Sequence, residues 1–413
     1  MKFNQYNFVP GLKKNIEILG FKRPTDIQYK SISPILNRDD VLAVAQTGTG
    51  KTVAFALPII QILYERKNKK PNNNPRCIVM VPTHELAMQV NEVFTQLSRG
   101  MSITPTGIFG GVEQESQIEK LQKGVDIVVA TPGRLFDLNS QGYLSLEGVE
   151  ILVLDEADHM LELGFKHDMD QLIKKIPRRR QVLFFSATIN KHVKDLVYSL
   201  VQKPVRIEVS PKDPVSRNID HSVAFIQMDD KRFFLEKIIK ENPEKKILIF
   251  VRTKVRAERV YKALLRVEIE SQVMHGDKTQ KERTNVMKLF KEGSAKVVVA
   301  TDVSARGIDI PNVEIVVNYD LPEEVENYVH RVGRTGRGTR KGTAISFCSE
   351  QEKETLEKIE EYLGKKIAKL EIDKEEYEKI TDLSGDKQHD WRVLLQEANE
   401  LEKRKKNKKK KKK

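Results

Sequence analysis

Short apolar runs alternate with longer amphipathic stretches through the first half of the chain. Fully apolar runs of this length, separated by helical stretches, are typical of parallel strands whose sheet is covered on both faces. The pattern therefore predicts an α/β domain. The runs lie at residues 41–44, 77–81, 126–130, 151–154, 182–185 and 205–209.

A second series of apolar runs follows, at residues 222–227, 246–251, 296–300, 315–318 and 343–347. Between the two series, residues 210–220 contain Pro211 and Pro214 among polar residues, which favours an exposed linker. We therefore expect two α/β domains in tandem, at residues 1–209 and 221–365, each with a mainly parallel sheet covered by helices on both faces.

The strand pattern ends at about residue 365, and residues 366–402 form a charged extension. Within it, Trp391, Leu394, Leu395 and Leu401 recur at roughly helical spacing. This stripe predicts a short helix docked on the second domain; a partner-binding module is the alternative. The final residues, 403–413, are a lysine-rich run that we expect to be a disordered tail.

The net charge of +13 belongs mostly to this tail. Of the 72 basic residues, ten lie in residues 403–413, so 62 remain against 59 acidic residues. A polycation appended to a nearly neutral body favours a polyanionic partner such as nucleic acid. A solvated tail that only improves solubility and a localisation signal remain equally open interpretations.

The number of cysteines and the hydropathy of the chain indicate the cellular compartment of the protein. Cys77 and Cys348 are the only cysteines, too few for a disulfide framework, and we interpret them as buried thiols in a reducing cytosol. No apolar run approaches the ~20 residues of a membrane span. The N-terminus lacks a basic segment followed by an apolar one, so secretion is not expected. We predict a cytoplasmic protein without membrane association.

A strand, a tight turn and a helix start follow one another at residues 41–52, as in a phosphate-binding loop. Gly48 and Gly50 let the backbone curl so that successive N–H groups face phosphate oxygens. Lys51 is placed to reach the β- and γ-phosphates, and Thr52 to offer its hydroxyl to Mg²⁺. The predicted nucleotide contacts of the loop are Thr47, Gly48, Thr49, Gly50, Lys51 and Thr52.

A second candidate element is the apolar run 151–154, which ends in Asp155-Glu156-Ala157-Asp158. Carboxylates at the C-terminal end of a parallel strand face the ligand crevice. Asp155 can hold Mg²⁺ through water, and Glu156 can orient and deprotonate an attacking water. A capping role alone is the alternative, but the phosphate loop in the same domain disfavours it.

These motifs and their order resemble the DEAD-box RNA helicases of superfamily two, across nearly all of residues 1–365. Residues 21–28 are similar to the adenine-recognition motif of that family, which implies ATP as the nucleotide. Gln28 can pair with the adenine edge, Phe21 can stack on the base, and Phe3 matches an upstream aromatic. Residues 186–188, Ser-Ala-Thr, resemble the motif that couples hydrolysis to strand separation, and imply roles for Ser186 and Thr188. The resemblance implies two RecA-like domains.

The second domain carries His-Arg-Val-Gly-Arg-Thr-Gly-Arg at residues 330–337. By resemblance, Arg334 and Arg337 reach across the interdomain cleft to the γ-phosphate, where a fixed cation offsets the charge of the transferring phosphoryl group. His330 resembles the residue that bridges to Asp158. Residues 300–309 resemble a motif that contacts both ligands, with Gly307 and Asp309 on the nucleotide side.

Several short motifs match positions where the family holds one RNA strand by its backbone. Few aromatics lie among them, so sequence-independent backbone contacts are expected rather than base stacking. The family has arginine where this chain has His84; a tolerated substitution and a pH-dependent RNA contact are both open. The predicted RNA contacts are Pro82, Thr83, His84, Gly110, Gly111, Thr131 and Arg134, then Arg252, Gly276, Arg283 and Thr301.

The resemblance implies an ATP hydrolase that unwinds short RNA duplexes and remodels RNA–protein complexes, acting as a monomer. Overall similarity favours the bacterial RhlE-like branch, whose members act in ribosome assembly or RNA turnover with partner proteins of those processes. The lysine tail would then tether RNA. The alternatives are a non-hydrolysing RNA clamp or scaffold, and a DNA-directed translocase of the same superfamily.

Overall fold

The chain folds into two α/β units, each built on a seven-stranded parallel sheet. The computed structural model describes residues 2–45, 48–66, 74–188, 191–209, 215–302, 313–336 and 340–382. Within these ranges no helix is both long enough and apolar enough to cross a bilayer.

The first sheet has the order β3-β4-β2-β5-β6-β1-β7, with every neighbouring pair parallel. Its strands are β1 (Val41–Ala45), β2 (Cys77–Met80), β3 (Pro105–Ile108), β4 (Ile127–Ala130), β5 (Ile151–Asp155), β6 (Gln181–Ser186) and β7 (Val205–Val209). After a 3-10 turn at Phe3–Gln5, its helices are α1 (Pro10–Ile18), α2 (Asp26–Leu36), α3 (Lys51–Glu65), α4 (His84–Leu97), α5 (Glu115–Gln122), α6 (Pro132–Ser140), α7 (Ala157–Glu162), α8 (Lys166–Lys175) and α9 (Lys191–Leu200).

The second sheet repeats the plan with the order β10-β11-β9-β12-β13-β8-β14. Its strands are β8 (Ile219–Phe225), β9 (Ile247–Phe250), β10 (Gln272–Met274), β11 (Val297–Ala300), β12 (Ile315–Asn318), β13 (Gly342–Cys348) and β14 (Ala368–Lys369). Its helices are α10 (Lys231–Glu241), α11 (Lys254–Arg266), α12 (Gln280–Glu292), α13 (Val325–Val332), α14 (Lys353–Leu363) and α15 (Lys374–Asp382), with a 3-10 turn at Glu350–Glu352.

Strand β1 shows why the central strands contain continuous apolar runs. All five of its residues are buried. Val41, Ala43 and Ala45 pack into the core on one face of the sheet, while Leu42 and Val44 pack into the core on the other face. The second sheet likewise separates two cores. A strand covered on both faces has no position for a polar side chain, and the predicted fold class is confirmed.

Three strands were missed because they lie at sheet edges. The four edge strands of the two sheets are β3, β7, β10 and β14; of these, β7 was predicted, and the other three are only two to four residues long. An edge strand is covered less completely than a central one, so its sequence need not be a continuous apolar run. Strand β3 contains Pro105 and Gly107, which oppose a strand assignment from sequence.

The second domain continues past residue 365, where the sequence predicted the end of the strands and the start of a charged extension. Strand β14 pairs with β8. Tyr377 on α15 packs its ring 4.9 Å from the ring of Phe234 on α10. At the other end of this domain, β8 begins at Ile219, within the range 210–220 expected to be a linker. Residues 383–413, with the Trp391 stripe and the lysine run, lie outside the described residues.

A buried charge network joins α10 to the far side of the second sheet. The Lys231 side chain is fully buried, and its Nζ donates to Glu352 Oε2 at 2.5 Å and to the carbonyl of Tyr319 at 2.8 Å. Asp320 Oδ1 lies 4.0 Å away. Glu352 also accepts the backbone N–H of Leu321 at 3.1 Å. The buried Glu352 therefore has Lys231 as its nearest cation, while Asp320 also faces Arg256 at 3.0 Å.

Lys231→Ala should destabilise the second domain by about 3 kcal/mol, the lower end of the range for a broken buried ion pair. The buried Glu352 would lose its nearest cation, while Arg252 would still face Glu352 and Arg256 would still face Asp320. Urea denaturation followed by circular dichroism measures the change. Lys240→Ala, an exposed change on the same helix, serves as the control and should stay within about 0.5 kcal/mol. Equal transitions for the two variants would show that the Lys231 network contributes nothing to stability.

Candidate active site

The phosphate loop joins the end of β1 to the start of α3. Gly50 precedes the helix in the left-handed region, with φ at 90°, and Gly48 has φ at 80°. Lys51, only 7% exposed, donates from Nζ to the carbonyl of Ala45 at 2.9 Å. The ammonium is thus held over the C-terminal end of β1, where a phosphate would meet it at the helix N-terminus.

The adenine motif is hydrogen-bonded to this loop. Gln28 accepts the N–H of Thr25 at 2.9 Å and donates to the carbonyl of Gly50 at 3.2 Å. The hydroxyl of Thr25 donates to the carbonyl of Thr49 at 2.8 Å. Gly50 is favoured by its positive φ angle, and a Cβ there would lie 2.5 Å from Gln28 Nε2 and so displace the amide from this hydrogen bond. The two motifs therefore form one rigid unit.

Phe3 and Phe21, predicted separately as base contacts, lie together. Their ring centres are 6.3 Å apart with planes inclined by 50°. Both line a cavity of about 520 Å³ that Gly20 and Arg23 also border. The 3-10 turn at the N-terminus brings Phe3 to this place.

The acidic strand end is buried beside the phosphate loop. Asp155 is 3% exposed. Burial raises its pKa to about 7, although the charge of Lys51 acts in the opposite direction; the neighbouring carboxylate of Glu156 adds to the rise. Without a divalent cation beside it, the Asp155 carboxyl is about half protonated near neutral pH.

The pKa of Glu156 is lowered, in contrast to that of Asp155. Burial would raise its pKa, but His159, whose Nδ1 lies 3.5 Å from Glu156 Oε2, and the charges of Lys51 and Arg334 together lower it to about 2. Its backbone has a φ of 53°, a left-handed conformation uncommon for a residue with a side chain. The carboxylate is therefore charged at neutral pH and positioned by a strained turn.

Asp158 connects this turn to the end of β6. Its Oδ2 accepts the N–H of Ala187 at 3.2 Å, the N–H of Thr188 at 2.9 Å and the hydroxyl of Thr188 at 2.9 Å. Ser186, the last residue of β6, is fully buried. Any shift of the acidic turn must therefore move the Ser-Ala-Thr segment with it.

Residues of the second domain complete the site across the cleft. Arg334, 3% exposed, follows α13 and donates from Nε to the carbonyl of His330 at 3.1 Å. Its charge contributes to the lowered pKa of Glu156 in the first domain. Elsewhere on the interface, Arg283 Nη2 lies 2.8 Å from Glu85 Oε1, which also accepts from Gln280 Nε2 at 3.1 Å. The two domains are closed on each other.

Comparison with known proteins identifies the family. Residues 25–196 match the DEAD/DEAH box helicase model, and residues 230–339 match the helicase conserved C-terminal domain. The chain is 39% identical over 375 residues to the ATP-dependent RNA helicase DbpA of Bacillus subtilis, an alignment that covers 91% of this chain and 77% of DbpA. It is 40% identical over 375 residues to the ATP-dependent rRNA helicase RRP3 of Candida glabrata, covering 90% of this chain and 75% of RRP3.

The chain belongs to the DEAD-box RNA helicases. ATP-dependent RNA unwinding is its activity. Both units are RecA-like domains, as the resemblance implied. The solved structure of Saccharomyces cerevisiae Dbp5 bound to RNA and ADP BeF3 matches with a TM-score of 0.82 at 31% identity, covering 92% of this chain and 99% of that one.

In this DEAD-box helicase the residues predicted for RNA all follow strand ends in one half of each sheet. In the first domain the strands are β2, β3 and β4, which are neighbours; in the second they are β9, β10 and β11, also neighbours. Pro82, Thr83 and His84 follow β2, Gly110 and Gly111 follow β3, Thr131 and Arg134 follow β4, Arg252 follows β9, Gly276 and Arg283 follow β10, and Thr301 follows β11.

The arginines among these residues are already paired with carboxylates. Arg134 lies 3.7 Å from Asp137. Arg252 lies 3.5 Å from Glu352. Arg283 is paired with Glu85 across the interface. An RNA phosphate reaching one of these guanidinium groups must share it with, or take it from, a carboxylate.

His84 occupies a different environment from an exposed phosphate contact. Its ring stacks on Phe109, with centres 3.8 Å apart and planes inclined by 22°. The Gln280 side chain of the second domain is close enough to favour the protonated form of the ring. Burial lowers the pKa of His84 below the ordinary 6.5, only partly offset by Glu85 and Gln280. The ring is therefore neutral and contributes to the interdomain contact.

Four predicted nucleotide contacts, Thr47, Gly307, Asp309 and Arg337, lie outside the described residues. Two residues of the site were missed by sequence reasoning. His159 follows the acidic motif and supports Glu156, and Glu85 makes the interdomain contacts. A histidine one turn after the carboxylate is a signal that could have been used; nothing local to Glu85 indicates its partner.

Proposed function

We propose that RNA and ATP hold the two domains in the closed arrangement, and that only this arrangement hydrolyses ATP. The observation that supports this is the set of contacts across the cleft: Arg283 and Gln280 of the second domain meet Glu85 of the first at 2.8 Å and 3.1 Å. In the same arrangement the Arg334 cation of the second domain acts on Glu156 of the first. With the domains apart, the cation would be absent from the site. Assembly of a catalytic centre by closure makes turnover depend on the ligands that favour closure.

Lys51 and Gln28 would bind the phosphates and the adenine, with Phe3 and Phe21 at the base. Glu156 would orient the attacking water. With its pKa near 2 it is a weak proton acceptor, so its contribution is mainly the position of the water, and Arg334 would offset the charge on the γ-phosphoryl group. Phosphoryl transfer depends chiefly on such positioning and electrostatics.

The residues at the strand end fit Mg²⁺. Asp155 is a buried carboxyl whose pKa is raised to about 7, and a divalent cation would restore its charged form. Thr52 and Asp155, the latter through water, would hold the ion, which neutralises charge on the β- and γ-phosphates. Within the described ranges no group of three or more acidic, His or Cys side chains is arranged to hold a metal by itself, and Mg²⁺ bound partly by phosphates needs none.

RNA would run along the strand ends of both domains, in contact with its backbone rather than its bases. Asp158, with its three bonds to residues 187 and 188, would transmit changes at the nucleotide to this track, together with His330. We further propose that the protein acts as a cytoplasmic monomer of the RhlE-like branch, in ribosome assembly or RNA turnover, with the lysine run 403–413 as an RNA tether.

Phosphate release should be stimulated strongly by single-stranded RNA and little by DNA of the same sequence. The reason is that only RNA offers 2′-hydroxyl groups to residues that contact the backbone. A coupled phosphate assay with RNA, DNA and no nucleic acid measures this. Equal stimulation by DNA would favour a DNA translocase, and binding of RNA and ATP without turnover would favour a clamp.

His84→Arg should tighten RNA binding near neutral pH and steepen the slope of log K against log salt concentration by about 0.7, the value for one added phosphate contact on a single strand. The reason is that the neutral ring supplies no charge. Fluorescence anisotropy of labelled RNA, titrated at several salt concentrations with a non-hydrolysable ATP analogue, measures both quantities. Unchanged affinity and slope would place His84 away from the RNA.

The lowered pKa of His84 predicts the direction in which RNA affinity changes with pH. The pKa of His84 is lowered in the closed structure, and Nδ1 is buried with no hydrogen-bond partner in the described part of the chain. The closure supported by the neutral ring is complete above about pH 6.5 and is lost as pH falls through the lowered pKa. The RNA affinity of the unchanged protein should therefore fall as the pH is lowered, whereas the affinity of His84→Arg should not. An RNA affinity that rises as the pH is lowered would indicate that protonated His84 contacts a phosphate.

A further inference from the structure

The second domain has a cavity of about 710 Å³ at the edge of its sheet, with a lining that includes none of the predicted nucleotide or RNA contacts. It lies between α14 and α15, beyond the ends of β8 and β13, and we refer to it as the edge cavity. Its apolar wall includes Phe225, Leu356, Ile367 and Tyr377. Phe225, the last residue of β8, is 38% exposed although it is aromatic.

The charged residues that line the edge cavity are three glutamates and three lysines, and four of them form two ion pairs. Lys353 Nζ lies 2.8 Å from Glu350 Oε2, and Lys366 Nζ lies 2.7 Å from Glu360 Oε2. Lys369 Nζ lies 5.5 Å from the centre of the Phe225 ring. Such a rim offers little net charge to a phosphate or to a lysine run. The cavity therefore suits an apolar group flanked by charges of both signs.

The chain itself passes the wall of this cavity. Helix α15 is fixed by Tyr377, whose hydroxyl donates to Asp230 Oδ2 at 2.8 Å and accepts the N–H of Gln227 at 3.0 Å. The last described residue, Asp382, lies five residues further along the same helix, or about 7.5 Å. From there, the nine residues to Trp391 can span up to about 30 Å.

We propose that the segment 391–401 docks in the edge cavity, with Trp391 as its anchor. The segment carries the apolar stripe Trp391, Leu394, Leu395 and Leu401, with charged residues of both signs between them. An aromatic side chain buries about 150–250 Å². A short tether raises the effective concentration of the segment to the millimolar range, which favours it over an apolar segment of another molecule.

Docking would hold the start of the lysine run close to the second domain. The cavity is bordered by Glu350, in the same 3-10 turn as Glu352, and Glu352 lies 3.5 Å from Arg252 at the end of β9. Residue 403 follows the docked segment by only two positions. The polycation would then begin beside the domain rather than at the end of a long free chain, and its contact with RNA would be directed.

Trp391 is the only tryptophan of the chain, so the fluorescence of the full-length protein reports on this segment alone. We expect emission shifted to shorter wavelength and protected from acrylamide quenching, relative to a peptide of residues 383–413. Phe225→Ser should move both measurements to the values of the peptide. Leu265→Ser removes an apolar side chain of 45% exposure on α11 of the same domain and should leave both unchanged.

The measurements are made over a range of protein concentrations, with RNA-stimulated ATP turnover confirming that each variant is folded. A protected Trp391 that is independent of concentration and is released only by Phe225→Ser supports the proposal. Emission like that of the peptide in the unchanged protein would overturn it. So would protection that survives Phe225→Ser, which would place the segment elsewhere, or protection that develops only on concentration, which would identify a second copy as the occupant.

Discussion

Glu156→Gln should lower ATP turnover by about 10²–10⁴-fold, the range observed when a positioned acid–base group is lost, because the carboxylate that orients the attacking water would be gone. The amide keeps the shape of the side chain but removes the charge that His159, Lys51 and Arg334 stabilise. ATP and RNA should still bind, because neither the phosphate loop nor the strand ends used for RNA are altered. Single-turnover phosphate release and RNA anisotropy with an ATP analogue separate the two effects.

Glu162→Gln is the matched control, since it makes the same change at an exposed position of the same helix, and it should turn over normally. Nearly unchanged turnover in Glu156→Gln would show that Glu156 has no catalytic role. Weakened ATP binding in that variant would instead assign the carboxylate to nucleotide binding.

Arg334→Ala should lower turnover by about 10³–10⁵-fold, the contribution of an arginine that stabilises a transferring phosphoryl group. The guanidinium is buried and acts across the closed cleft. Phosphate release under saturating RNA measures the loss. Arg266→Ala, an exposed change at the end of α11, should have no comparable effect.

A second measurement distinguishes a catalytic cation from a merely structural one. Arg334→Lys retains the charge without the guanidinium group and should recover part of the rate that Arg334→Ala loses. Thermal unfolding of both variants should match that of the unchanged protein. A lower unfolding temperature in Arg334→Ala that accounts for its loss of rate would give Arg334 a structural role.

The sequence predicted the central strands and the nucleotide motifs because both have local causes. Strand β5 is buried on both faces and is therefore apolar at residues 151–154, and its carboxylates follow at once in the chain. Gly50 is favoured both by its φ angle and by its close approach to Gln28. Signals of this kind lie within a few residues and can be interpreted without the fold.

What the sequence could not show are contacts between distant residues. Glu85 and Gln280 are 195 residues apart and meet only because two domains close. Lys231 is an ordinary lysine at a helix start by its sequence, yet it is fully buried because Glu352 and Asp320 surround it. Strand β14 is two residues long and exists only because β8 offers an unpaired edge.

The paired arginines affect how salt should influence RNA binding. Arg134, Arg252 and Arg283 each have a carboxylate of the protein within 4 Å, which serves as a built-in counterion. When a phosphate replaces such a carboxylate, fewer ions are released into solution than when it replaces bound salt. If these arginines contact RNA, the folded domains would bind it with a weaker salt dependence than their number of cations suggests. Most of the salt sensitivity of the whole chain would then belong to its lysine run.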